Sequence, residues 1–249
     1  MFLSVVVPAY NEEDRLPRTL AALDAYYRAQ PYAWEVTVVS DGSTDRTEEV
    51  VREFAETHPG FSILAYAPNR GKGHAVRVGM LQAEGGRVLF CDADLATPQE
   101  ETEKLMGHLD EGADVAIGSR PLAESRLEVR QPWYREMLGR AFNKAVQLLA
   151  VRGIDDTQCG FKLFTRDAAR ATFRRCRLDG FSFDLEALMV ARDLNLRIDE
   201  VPVRWRHQEG SKVVLLRDGP RMLRDLVGLR LKGKKRRLEE AEPALPATD

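Results

Sequence analysis

The feature that most constrains the fold is a pairing of signals repeated through the first half of the chain. Short, continuous apolar runs alternate with stretches of helical pattern. FLSVVV (2–7), WEVTVV (34–39), FSILAY (61–66), RVLFC (87–91) and DVAI (114–117) each have the length and β-branched content of a strand. Their apolar residues run on without alternating, which is the mark of a strand buried on both faces. Between them lie helices with recognisable starts. Asp45 precedes Glu48 by three, and Val50, Val51, Phe54 and Ala55 form an apolar face. Thr97-Pro98-Gln99-Glu100 reads as a capping box with proline at the first helical position. Repeated βα units of this kind predict an α/β fold with a mainly parallel, helix-covered sheet.

The second half is less regular. Residues 133–151 read as a long helix, 182–194 as another, and 196–205 as a further strand. With 249 residues, 44% hydrophobic and 31% charged, the chain has enough apolar material for one large core. We expect one domain over 1–210, a basic amphipathic segment over 211–238, and a disordered Ala-, Glu- and Pro-rich tail over 239–249. The net charge of −2 gives no pointer to nucleic acid. Three cysteines without CxxC spacing suggest neither a disulfide framework nor a zinc site, and fit a reducing, cytoplasmic setting. No basic leader precedes the first strand, and no run reaches the roughly 18 apolar residues of a bilayer span.

In an open parallel sheet, ligands sit beyond the carboxyl ends of the strands. Polar clusters fall at those points: Pro8 to Glu13 after the first run, Ser40 to Asp45 after the second, Asn69 to His74 after the third, and Asp92-Ala93-Asp94 after the fourth. Together they describe a nucleotide-diphosphate site. Asp92 and Asp94 supply the carboxylate oxygens that Mg²⁺ or Mn²⁺ takes alongside substrate phosphates. Asp41 can accept from a base imide or ribose hydroxyls, or it can form an Asx-turn around Gly42. The Asn69 to Gly73 stretch puts cations and permissive backbone at a helix start, which suits phosphate.

The strings VVVPAYNEE, VVSDGSTD, NRGKGHAVRVGM, LFCDADLATP and VAIGSR, in this order, resemble the family-2 glycosyltransferases. The branch they are most similar to holds the dolichyl-phosphate glucosyltransferases and dolichyl-phosphate mannose synthases. DTQCGFKLFTRDAA and FSFDLEALMVAR…IDEVPVRWRHQEGSKV extend the likeness over residues 2–213. The resemblance implies a GT-A-type, Rossmann-like domain and an inverting, metal-dependent hexosyl transfer from a sugar nucleotide. It also implies that Pro8, Tyr10, Glu12 and Asp41 hold base and ribose, that Lys72 lies near the nucleotide, and that Asp92 and Asp94 lie near metal and diphosphate. Mannose synthases carry glutamine two positions after the second aspartate, where this chain has Ala96. That departure and the DTQCGFK string favour UDP-glucose over GDP-mannose.

The acceptor side is rich in cations. Arg120, Arg130 and Arg135 all follow the metal motif, and guanidinium matches phosphate bidentately, although surface salt bridging is the commoner fate of an arginine. The family pattern supports Arg120 and Arg135 most. Asp156 and Gln158 are expected to face sugar or acceptor, with Asp156 the candidate base for a hydroxyl acceptor. A phosphomonoester acceptor, largely dianionic near neutrality, needs no base. Asp184 is open between acceptor binding and a helix-start role. His207, Ser211 and Lys212 resemble a mobile loop of the relatives, with Lys212 a diphosphate contact, whereas His58 and His108 read as surface residues.

Between Lys212 and Arg237 there are ten cations against two aspartates, and Met222, Leu223, Leu226, Val227 and Leu229 recur at helical spacing. This basic amphipathic segment fits either the anionic cytoplasmic face of a membrane or a helix packed on the core with a solvated basic end. The reading is therefore transfer of glucose from UDP-glucose to a polyprenyl phosphate at a membrane surface. Its rivals are another sugar nucleotide, a hydroxyl acceptor, a non-catalytic sugar-nucleotide-binding partner of a membrane transferase, or a nucleotidyltransferase.

Overall fold

The computed structural model describes residues 1–129, 153–206 and 215–241. Its centre is a seven-stranded sheet. The strands are β1 (Leu3–Ala9), β2 (Trp34–Asp41), β3 (Phe61–Tyr66), β4 (Arg87–Cys91), β5 (Val115–Ser119), β7 (Phe161–Thr165) and β8 (Ile198–Pro202), in the spatial order β3-β2-β1-β4-β7-β5-β8. All neighbours pair in parallel except β7, which runs antiparallel to both β4 and β5. The five strands expected from apolar runs all form. Strand β1 is buried at every position, as continuous valine runs require.

Period-two geometry sorts those buried side chains into two cores. Val5 and Val7 join Val36, Val38 and Leu89 on one face, under α1 (Leu16–Tyr27), α2 (Thr47–Thr57) and α4 (Thr102–Asp110). Val6, Val39, Val88 and Phe90 line the other face, under α3 (Lys72–Gln82), α5 (Arg166–Phe173) and α6 (Phe183–Asp193). Helix α3 approaches the sheet closely because Gly79 has no side chain: a Cβ there would stand 3.0 Å from Val39 Cγ2 and closer still to Val6 Cγ1.

Two expectations need correction. The capping box at Thr97 does not form. Pro98 is extended and lies just outside a 3₁₀ turn, Gln99–Glu101, while Thr97 Oγ1 faces Cys159 Sγ at 3.9 Å. The strand expected over 196–205 is broken at its proline. Strand β8 ends at Pro202, which has no amide hydrogen to continue a ladder, and β9 (Arg204–Arg206) pairs instead with β6 (Arg126–Val129) in a separate two-stranded sheet. The described end of the chain is tied to the domain: Arg175 Nε donates to Leu238 O at 2.9 Å and Ala241 N to Arg174 O at 2.7 Å. The basic segment packs on the domain through its helix. Helix α7 (Leu215–Arg237), kinked at Gly233, buries Leu226 and Leu229 in the same core as Leu188, and Ser182 Oγ donates to Asp225 at 2.9 Å. The helix expected over 133–151 lies outside the described residues.

Candidate active site

The carboxyl edges of β1, β2 and β4 carry the expected polar clusters, and each is held by long-range bonds. Strand β2 delivers Asp41, which is 3% exposed. Tyr66 Oη and Arg70 N donate to its Oδ1, and Asn69 Nδ2 and Gly71 N to its Oδ2, all at 2.8 Å. A carboxylate has about four acceptor positions, so Asp41 acts here as a clip that fixes the 66–71 loop. It can meet a base only by giving up one of these bonds. The loops after β1 and β2 are stitched together in the same way. Thr44 N donates to Asn11 Oδ1 at 2.8 Å, Glu12 N to Thr47 Oγ1 at 2.8 Å, and Arg46 N to Glu13 Oε2 at 2.9 Å. Asp45 accepts from Glu13 N at 3.1 Å and Thr47 N at 3.0 Å, so it does support the start of α2. Pro8 is buried within β1, Tyr10 is exposed beside it, and Glu12 pairs with Arg15 at 2.7 Å.

The helix start after Gly71 is not the open anion site that its sequence suggests. Gly73 N and His74 N both donate to the carbonyl of Asp179, at 2.8 and 3.3 Å. Gly71, at φ 116°, leaves room for that carbonyl: a Cβ would stand 3.0 Å from Asp179 C and closer to its oxygen. What α3 offers instead is the Lys72 side chain, whose Nζ lies 2.6 Å from Asp92 Oδ1. Burial opposes the Lys72 charge, but Asp92, Asp184 and Asp94 outweigh it and its pKa is raised.

Asp92 and Asp94 follow β4 directly. Asp92 N donates to Gly160 O at 3.1 Å. Its carboxylate lies flat on the Gly160 backbone, where a Cβ would be 2.7 Å from Oδ1 and closer still to Cγ and Oδ2. Asp94 Oδ1 accepts from Ala96 N at 3.0 Å. Burial and the neighbouring Asp92 push the Asp94 pKa up, a penalty that a divalent cation between the two carboxylates would relieve. Among the described residues no group of three ligating side chains exists. Asp92 and Asp94 supply the hard oxygen donors that Mg²⁺ or Mn²⁺ takes, and such an ion usually draws its remaining ligands from water or phosphate.

Strand β5 ends at Ser119, and Arg120 follows it. Its Nε and Nη2 donate to the two oxygens of Asp156 at 2.6 and 2.8 Å, and its backbone N adds a third bond at 3.0 Å. Gln158 N also donates to Asp156 Oδ1, at 3.2 Å. Asp156 is fully buried; burial works against its charge, but Arg120 dominates and its pKa is lowered. A carboxylate with four donors and a depressed pKa has little tendency to take a proton, which weighs against a general-base role for Asp156. Glu200 on β8 fixes the turn, accepting from Ser119 Oγ, Asp155 N and Asp156 N at 2.7 to 3.0 Å. Arg120 also lies over the Trp205 ring at 5.5 Å. Strand β9 closes against the metal motif, with Arg206 N donating to Ala96 O at 2.8 Å.

Asp184 sits in the first turn of α6, 4% exposed and 2.5 Å from Lys162 Nζ. Glu186 accepts from the amides of Arg177 and Leu178 at 2.7 Å. His58 stacks on Phe54, and His108 Nδ1 lies 3.0 Å from Asp199. Lys162, Asp179, Glu200 and the cradle at Gly160 went unread in the sequence. The one local signal was a lysine in the middle of the apolar run FKLFT. Arg130, Arg135, His207, Ser211 and Lys212 lie outside the described residues.

The model of glycosyl transferase family 2 matches residues 4–173. The chain belongs to that family. Among curated members, the dolichyl-phosphate β-glucosyltransferase of Drosophila melanogaster is 43% identical over 237 residues, spanning 90% of this chain and 73% of the fly protein. The human dolichyl-phosphate β-glucosyltransferase is 38% identical over 243 residues, spanning 92% and 75%. The fold matches that of glucosyl-3-phosphoglycerate synthase from Mycobacterium tuberculosis, solved with Mn²⁺, UDP and glucosyl-3-phosphoglycerate. The TM-score is 0.66 at 20% identity, over 94% of this chain and 79% of that one. Mannosyl-3-phosphoglycerate synthase from Rubrobacter xylanophilus matches at TM-score 0.68 and 21% identity, over 99% and 79%. This family-2 chain thus has the fold of the GT-A glycosyltransferases.

Proposed function

We propose that this family-2 transferase moves glucose from UDP-glucose to a polyprenyl phosphate of the dolichyl type, with inversion, releasing UDP. The observation that carries the reading is the Arg120–Asp156 pair. It holds a guanidinium within electrostatic reach of Asp92 and ties up a carboxylate that could otherwise serve as a base. Asp184 is likewise committed to Lys162, and Glu200 to the 155–156 turn. With these carboxylates committed among the described residues, the site suits a nucleophile that arrives already deprotonated, as a phosphomonoester does. The relatives named for dolichyl phosphate and glucose support the same acceptor and sugar.

Asp92 and Asp94 would hold Mg²⁺ or Mn²⁺, which supplies a counter-charge for the departing diphosphate. Lys72 stands next to that charge. The wall for base and ribose would be formed by Pro8, Tyr10, Glu12 and the loop clipped by Asp41. Arg120 keeps Nη1 outside its pair with Asp156 and would position the acceptor phosphate, with Arg130, Arg135, Gln158 and Lys212 assigned to the same anionic surroundings. A phosphate oxygen attacks C1 from the face opposite UDP. The C1–O bond to UDP breaks, its electrons go to the β-phosphate oxygen, and an α-linked donor gives a β-linked product.

The enzyme would work as a peripheral protein on the cytoplasmic face of a membrane. Among the described residues no helix is long and apolar enough to cross one. Helix α7 instead turns Leu223, Val227 and Leu231 outward, 45%, 44% and 80% exposed, among the exposed Arg221, Arg224, Arg230, Lys234 and Lys235. Spacing of four along a helix makes these one stripe, and basic flanks match anionic lipid.

The test is nucleoside-diphosphate release from a panel of sugar nucleotides, with Mn²⁺ or EDTA, with and without a polyprenyl phosphate. We expect UDP release from UDP-glucose that requires both metal and lipid phosphate and is lost in Asp94→Asn. Release that ignores the lipid and responds to a hydroxyl acceptor would refute the acceptor assignment. Release from GDP-mannose alone would refute the donor.

A further inference from the structure

A lysine in the middle of a buried strand calls for a reason. Lys162 is the second residue of β7; its side chain is 2% exposed, and Nζ lies 2.5 Å from both Cys159 O and Asp184 Oδ1. Replacing such a pair by apolar residues of similar size is often neutral or stabilising, so stability alone does not account for it. Its surroundings offer a better account. The carbonyl that Lys162 holds belongs to the residue before Gly160, and Gly160 is the floor on which the Asp92 carboxylate rests. Gly160 O also accepts from Asp92 N. On its other side Asp92 meets Lys72. Both ammonium groups stand 5.6 Å from the centroid of the Phe90 ring, and Lys72 lies 6.0 Å from that of Phe183, the residue before Asp184.

We propose that Lys162 and Asp184 are positioning residues for the cation and diphosphate. The buried pair pins the Cys159–Gly160 backbone, and that backbone sets where the Asp92 carboxylate stands. Neither side chain touches substrate. The proposal rests on the reading of Asp92 and Asp94 as cation ligands. It explains why β7 runs antiparallel beside β4: that direction brings the residues just before β7 up against those just after β4, as the Cys91↔Phe161 pairing shows.

The test is Mn²⁺ binding by the UDP-bound enzyme, followed through the electron paramagnetic resonance signal of free Mn²⁺. In the double variant Lys162→Met/Asp184→Leu, loss of support behind a metal ligand should raise the Mn²⁺ Kd about tenfold or more, while the melting temperature stays at or above the parent value. A Kd within about twofold of the parent would overturn the positioning role. If the parent enzyme with UDP binds no Mn²⁺, the cation reading falls and this proposal with it. Should the double variant lack a cooperative melting transition, Asp184→Asn, which keeps the shape, carries the test. Positioning predicts weaker Mn²⁺ binding and a kcat recovered at saturating Mn²⁺. An unchanged Kd with a kcat deficit that Mn²⁺ does not restore marks direct contact with substrate, and overturns it.

Discussion

Gly160→Ala isolates the geometry of the metal motif better than any change to the aspartates themselves. The backbone at 160 is not in the left-handed region, so alanine adds no conformational strain of its own. The added Cβ would stand 2.7 Å from Asp92 Oδ1 and closer to Cγ and Oδ2, whereas carbon and oxygen settle into contact at about 3.4 Å or more. The carboxylate must therefore retreat by about 1 Å, away from its 2.6 Å pairing with Lys72. A misplacement of that size at a reacting centre costs on the order of 100-fold in rate, equivalent to about 2.7 kcal/mol of transition-state stabilisation. The assay is kcat/KM for UDP-glucose at saturating polyprenyl phosphate, with Mn²⁺ titrated in both proteins and a melting curve for each. We expect a fall of about 100-fold in kcat/KM with the fold intact. An alanine variant that keeps kcat/KM and Mn²⁺ affinity within about threefold of the parent would refute the claim that Asp92 works from the Gly160 cradle.

Removing the Arg120–Asp156 pair by Asp156→Asn should destabilise the fold by about 3 kcal/mol or more, because a partly buried guanidinium is left uncompensated; urea midpoints measure this. In the variant that still turns over, the pH–kcat/KM profile should keep its rising limb near pH 6, which belongs to the acceptor phosphate; loss of that limb would reinstate Asp156 as a base. Asp156 and Asp179 both have depressed native pKa values, Asp156 because Arg120 outweighs its burial and Asp179 because His74 and Arg77 outweigh its own. The stability they add is present above the unfolded carboxylate pKa of about 3.9 and lost as pH falls through the lower native values, so urea midpoints should drop below about pH 4, less steeply in Asp156→Asn. Gly71→Ala forces a side chain into left-handed backbone against the Asp179 carbonyl and should cost about 1–3 kcal/mol in urea unfolding. Serine at Leu223, Val227 and Leu231 together should reduce co-sedimentation with phosphatidylserine vesicles and leave the melting temperature unchanged, since Leu226 and Leu229 make the packing contacts; unchanged sedimentation would refute the lipid-facing stripe.

The sequence by itself determined the parallel βα half of this protein. VVV, VTVV and VLF are apolar without alternation because both faces of their strands are covered, and that is a local property of each run. The polar clusters were legible for the same reason: they begin where the run ends, at the carboxyl edge that parallel strands share. Asp92, Asp94, Asp41 and Lys72 could thus be placed on one edge before any contact was known. What they do there was decided by residues far away in the chain. Asp41 is consumed by donors 25 to 30 positions on, the start of α3 is closed by a carbonyl beyond 100 positions away, and Asp156 is neutralised by an arginine 36 positions before it. Whether a polar group meets a ligand or another part of the chain depends on what the remaining elements bring to it. No local pattern records that. Strand β7, inserted antiparallel between β4 and β5, supplies the cradle for Asp92, and helix α7 divides its leucines between core and solvent, because tertiary packing alone fixes which neighbour each one meets.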